Sequence, residues 1–94
     1  MRKTFRDSEA QRIWEGKVSH RLPHNIQRRA LQKLTSLDAA TWLDNLSKRG
    51  NHLESLRGNR AGQWSIRVND QYRICFRWDE AGADAWEVEI VDYH

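Results

Sequence analysis

Ninety-four residues with 38% hydrophobic and 31% charged side chains fit a single domain over 1–94 and leave no room for a second. No apolar run approaches the ~18 residues of a membrane span, and no apolar segment follows the basic residues at the N-terminus, which argues against a secretory signal. A single cysteine, Cys75, excludes an internal disulfide framework and a multi-cysteine zinc site, so the expectation is a cytoplasmic domain with no metal or cofactor and no membrane partner. Five tryptophans offset the modest apolar content, because each can bury a large area.

The formal net charge of +3 is unevenly spread. Residues 1–78 hold all 16 Lys and Arg against 7 acidic residues, whereas residues 79–94 hold 6 acidic residues and no Lys or Arg. A basic body with an acidic final segment suits a polyanion binder, and it also offers a target to an acidic segment of a partner. The competing reading places Arg and Glu opposite one another on neighbouring strands, where they neutralise each other.

Ser8-Glu9-Ala10-Gln11 has the spacing of a capping box and predicts a short helix from Ser8, as N-cap, to about Glu15, stopped by Gly16. Pro23 sits where helices start, and Ile26, Ala30, Leu34 and Leu37 recur at spacings of four, four and three. This predicts an amphipathic helix whose other side carries Arg21, Arg28, Arg29 and Lys33. Residues 41–46 read as a further helical turn, ended by Gly50-Asn51. The period then becomes two. Trp64, Ile66 and Val68 predict one strand, Tyr72, Ile74, Phe76 and Trp78 a second, and Trp86, Val88 and Ile90 a third. Leu53–Leu56 is a candidate for a shorter one. Fold class is α+β, with N-terminal helices packed on a C-terminal antiparallel sheet.

If the tryptophan-bearing series faces inward, the opposite pleat presents Arg67, Arg73, Cys75 and Arg77 with Glu87 and Glu89. Such a face is either a solvated Arg–Glu lattice or the floor of an anion site; its use of arginine rather than lysine suits bidentate phosphate recognition. The C-terminus Asp92-Tyr93-His94 sets a carboxylate, a phenol and an imidazole side by side, the groups that can share proton transfer in phosphodiester cleavage. A frayed terminus in solvent is the alternative. His20 and His24 are separated by Pro23, so they need not share a helical face. Gly58 and Gly62 lack the Lys-Ser/Thr of a phosphate-binding loop.

The string Leu53-Glu54-Ser55-Leu56-Arg57-Gly58-Asn59-Arg60-Ala61-Gly62-Gln63-Trp64-Ser65-Ile66-Arg67-Val68-Asn69 resembles the HigB branch of the RelE-like toxins. Leu37-Asp38-Ala39-Ala40-Thr41, Tyr72-Arg73-Ile74-Cys75-Phe76 and the closing Asp92-Tyr93-His94 are similar to its other signatures, in the same order. The resemblance implies a microbial-ribonuclease-type fold that cuts messenger RNA in the ribosomal A site. It also implies neutralisation by a HigA-type helix-turn-helix antitoxin, through which alone the toxin would meet operator DNA. By position, Arg73 corresponds to the family's strand arginine, and Asp92, Tyr93 and His94 to its C-terminal catalytic triplet. Arg57 stands where many members have lysine, and Glu54 where many have histidine. His52, two residues before Glu54, would share its face on a strand. Arg60, Arg67 and Arg77, with His52 and Glu54, complete the expected RNA-binding set. An alternative function is a catalytically weak ribosome- or RNA-binding homologue that acts mainly through its antitoxin in operon autoregulation.

Overall fold

Apolar spacing in the first half and alternation in the second produce two helices followed by a four-stranded antiparallel sheet, as expected from the sequence. A computed structural model describes residues 4–48, 50–82 and 84–92; Tyr93 and His94 lie outside the described residues. Helix α1 spans Ser8–Trp14 and α2 spans His24–Ala39. The strands are β1 (Glu54–Ser55), β2 (Trp64–Arg67), β3 (Tyr72–Asp79) and β4 (Asp84–Asp92), adjacent in chain order. Two short 3-10 turns, Leu43–Leu46 and Gly58–Arg60, lie on either side of β1. No helix among the described residues is long and apolar enough to cross a membrane.

The first helix is capped by Asp7 rather than by Ser8. Asp7 has extended backbone, φ −130° and ψ 124°, and its carboxylate accepts the Glu9 N–H at 2.9 Å. Ser8 is then the first helical residue, and its hydroxyl turns to Glu9 Oε2. Both residues are good caps by type; the backbone angles of Asp7 decide between them. Helix α2 starts directly after Pro23 and buries Ile26, Ala30, Leu34 and Leu37, the residues its periodicity marked.

These helices cover one face of the sheet, where Ile66, Val68, Ile74, Phe76 and Val88 are wholly buried. At about 25 cal/mol per Å² of apolar area, this continuous layer supplies most of the drive to fold. The N-terminal segment adds a short parallel partner beside β4: Arg6 N–H donates to the Val88 carbonyl, and Val88 N–H to the Thr4 carbonyl, each at 3.0 Å.

One strand breaks the expected alternation. The β3–β4 register runs Ile74 to Ile90 and Cys75 to Glu89, then resumes at Arg77 to Trp86, so β4 carries one extra residue. Glu87 absorbs it with φ +51°. A bulge of this kind shifts the pleat by one position. Ala85, wholly buried, takes the core side, and Trp86 stands opposite Arg77 on the other pleat. The inward placement of Trp86 expected from the sequence is therefore corrected.

Candidate functional site

Antiparallel pairing arranges the pleat away from the helices in rows. One row runs Glu54, Ser65, Cys75, Glu89 across all four strands, and the next runs Arg67, Arg73, Val91. This pleat is not uniformly open, because Ser65 and Cys75 at its centre are wholly buried. Burial raises the Cys75 thiol pKa above its ordinary value, against the opposing pull of Arg60. A thiol held neutral in this way is a packing group and a poor nucleophile.

Arg73 is the best-positioned cation of the face. Its Nε donates to Ser65 Oγ at 2.7 Å, and one terminal nitrogen donates to the backbone carbonyl of His52. Neutral acceptors from β2 and from the approach to β1 thus fix the plane of the guanidinium. Its register partner on β4 is Val91, one residue before Asp92. Asp92 ends the described chain, exposed, and accepts from Gln71 Nε2 at 3.1 Å. By register it stands opposite Tyr72, on the core-side pleat rather than on that of Arg73. Arg73 therefore lies beside the strand end from which the last two residues, Tyr93 and His94, continue.

The other arginines contact carboxylates, as the lattice reading anticipates. Arg77 Nε lies 2.9 Å from Glu87 Oε2, and Arg67 pairs with Asp70. Glu89 receives Arg60 at 3.2 Å and Arg6 at 3.6 Å. The more exposed pairs, Arg77–Glu87 and Arg67–Asp70, contribute at most about 1 kcal/mol each and do little for stability, whereas the Glu89 carboxylate is only 16% exposed. Of the two sequence readings of this face, the structure shows the lattice, in which Arg77, Arg67 and Arg60 each meet a carboxylate.

The segment before β2 supplies the rest. Arg57 is exposed just ahead of the Gly58–Arg60 turn; its carbonyl accepts the Arg60 N–H at 3.2 Å, and its side chain makes no hydrogen bond or ion pair with the described residues. With Glu54, Ser55 and Trp64 it lines an open groove of about 660 Å³. Glu54 is exposed and pairs with Ser65. His52 precedes the strand and has φ +47°, so the expectation that it shares a strand face with Glu54 is corrected. Its backbone carbonyl, which holds Arg73, is what it brings to this face.

Two contributors and the partners of a third escaped the sequence reading. Ser65 alternates with Trp64 and Ile66, so its pleat was legible, but its bond to Arg73 is a cross-strand event. Gly62, φ +89°, gives Arg77 its room: a Cβ there would lie 2.9 Å from a terminal nitrogen of that guanidinium. Glu89 joins the Gly58–Arg60 turn to the N-terminal segment through its two arginines. The charge of Glu89 was visible in the sequence; its partners, 29 and 83 residues away, were not.

Residues 3–94 match the family described as HigB-like toxin, a RelE-like toxin of type II toxin-antitoxin system HigB. The chain is similar to Toxin HigB-1 of Vibrio cholerae serotype O1, with 42% identity over 76 residues that cover 79% of this chain and 80% of that protein. It is also similar to Endoribonuclease HigB of Proteus vulgaris, with 31% identity over 94 residues and 100% coverage of both chains. An uncharacterized protein of Haemophilus influenzae shares 32% over 80 residues, 83% of this chain and 79% of that one.

Proposed function

We propose, since this chain belongs to the HigB-like family of RelE-like toxins of type II toxin-antitoxin systems, that it is an endoribonuclease toxin that cuts messenger RNA during translation. The observation that carries this reading is the guanidinium of Arg73, held by Ser65 and the His52 carbonyl beside the strand end that leads into Asp92-Tyr93-His94.

Metal-free cleavage uses the ribose 2′-hydroxyl as nucleophile. Its oxygen bonds to phosphorus, its proton passes to a base, and the bond from phosphorus to the 5′-oxygen breaks as an acid protonates the leaving group. A 2′,3′-cyclic phosphate and a 5′-hydroxyl result. Arg73 and Arg57 stabilise the charge that builds on the phosphorane. His94 is the acid–base group, because its unperturbed pKa of about 6.5 lies near working pH. Asp92 orients it, and Tyr93 stacks on a base or holds a phosphate oxygen. Arg60, Arg67 and Arg77 bind flanking phosphates in place of their carboxylate partners. A positioned acid–base group contributes about 10²–10⁴-fold, and alignment of the messenger in the ribosomal A site supplies much of the remainder.

The partners that follow are a HigA-type helix-turn-helix antitoxin, the ribosome and messenger RNA. Operator DNA is reached only through the antitoxin, and the site of action is the cytoplasm. Primer extension on messenger RNA after brief induction tests the activity. Discrete new 5′ ends at codons are expected. Translation arrest without them favours the second reading, a ribosome binder with weak catalysis. That reading draws on one observation: the exposed Glu54 carboxylate stands in the row beside Arg73, where it repels an incoming phosphate.

A further inference from the structure

A second surface, opposite in sign to the arginine face, is built where tryptophans and carboxylates meet. Trp42 is 72% exposed, one of two large hydrophobic residues that the described chain leaves open to solvent. Its exposure is enforced by the backbone. Asn45 Oδ1 accepts the Trp42 N–H at 3.0 Å and the Thr41 N–H at 3.1 Å, while Leu46 of the same turn is buried. The indole is thereby presented outward from a pinned turn.

Trp42 and Trp64 line a groove of about 430 Å³ together with Asp44 and Glu80. Glu80 also lines the adjoining groove of about 270 Å³, whose walls include Trp78 and Trp86. The two grooves therefore meet at Glu80. No lysine or arginine among the described residues lines either of them. Trp86 reaches this place through the bulge at Glu87, which takes it off the core pleat.

Indoles beside carboxylates make a site for a cation with an apolar stem. The ring faces attract the charge, the carboxylates pair with it, and the rings cover the methylenes. Nucleic acid fits poorly, because its phosphates would approach Asp44 and Glu80. The acidic segment expected on the basic body fits poorly for the same reason. We propose that this surface docks a lysine- or arginine-bearing apolar segment of the antitoxin, with Trp42 as the anchor and Glu80 as the counter-charge. This rests on the reading of the chain as a toxin with a protein antitoxin. The surface borders the arginine face, because Trp64 also lines the Arg57 groove and Trp86 stands opposite Arg77. Exposed aromatics that become buried carry a large share of interface energy.

The test titrates the full chain with the antitoxin encoded beside it, using wild type, Trp42→Ala and Glu80→Lys. Both positions are exposed, and circular dichroism verifies folding. Each variant is expected to weaken the complex at least tenfold while cleaving ribosome-bound messenger RNA at the wild-type rate. The loss in Glu80→Lys should be the more salt-dependent of the two. Wild-type affinity in both variants overturns the proposal, as does failure of the wild-type chain to form a complex. Loss of cleavage with antitoxin binding intact overturns it too and assigns the surface to RNA. The cleavage readout is independent of the complex, so it reports separately on the proposed function.

Discussion

Ser65 Oγ accepts the Nε–H of Arg73 at 2.7 Å, and the buried serine thereby sets the plane of a guanidinium that sits between β2 and the end of β4. Arg73→Ala should lower messenger cleavage by about 100- to 1,000-fold, the scale for loss of a preorganised charge stabiliser. The melting temperature should change little. Ser65→Ala keeps the cation but loosens it, so kcat should fall by about tenfold with KM nearly unchanged, at a stability cost of about 1 kcal/mol. Equal losses of stability and activity in Arg73→Ala would identify the residue as structural.

Deleting residues 92–94 should abolish cleavage and spare the fold. Val91 is the last apolar residue before the tyrosine, and Asp92 is exposed. Even a half-buried tyrosine ring accounts for about 2 kcal/mol at 25 cal/mol per Å². His94→Gln alone should do most of the damage. A folded truncation that cuts like the full chain would move the active site towards Glu54, Arg57 and the groove between them.

Gly62→Ala should be destabilising by about 1 kcal/mol or more, since φ +89° disfavours a side chain and the new Cβ would crowd Arg77 at 2.9 Å. The guanidinium must swing away, with its bond to Glu87 weakened. RNA affinity should then change together with its salt slope, because a phosphate-binding arginine has moved. A crystal structure of the variant with Arg77 in place would remove this account of the glycine.

Glu9 links stability to pH. The Ser19 hydroxyl donates to its carboxylate at 2.5 Å, and this bond lowers the carboxyl pKa below its ordinary value of 4.5 against the opposing effect of burial. A carboxyl whose pKa is lowered by folding stabilises the native state above its unfolded pKa and loses that contribution as pH falls through its folded one. Glu9→Gln should therefore melt below wild type at pH 7. The two curves should converge as the solution is acidified through and below the carboxylate range. A gap that stays constant with pH would assign the effect to the shape of the site.

Periodicity alone determined much of this protein. Ile26, Ala30, Leu34 and Leu37 mark the buried face of α2 because a helix returns to the same side every three to four residues. Ile66, Ile74 and Phe76 mark the core pleat because a strand returns every two. The ordered strings from Leu37 to Asp92 were sufficient to identify the family before any geometry was known. Tertiary structure decided what local pattern cannot express. A strict alternation runs through Trp86, Val88 and Ile90 without a break, yet pairing with β3 forces an extra residue at Glu87 and turns Trp86 over. The cap at Asp7 depends on a backbone conformation reached as the chain leaves its parallel bridge to β4. The attachment of Arg73 to Ser65 and His52, and of Glu89 to Arg6 and Arg60, spans eight to 83 residues. Those bonds are set by how strands and turns close on one another, which is why the residues of the face were legible in the sequence and its arrangement was not.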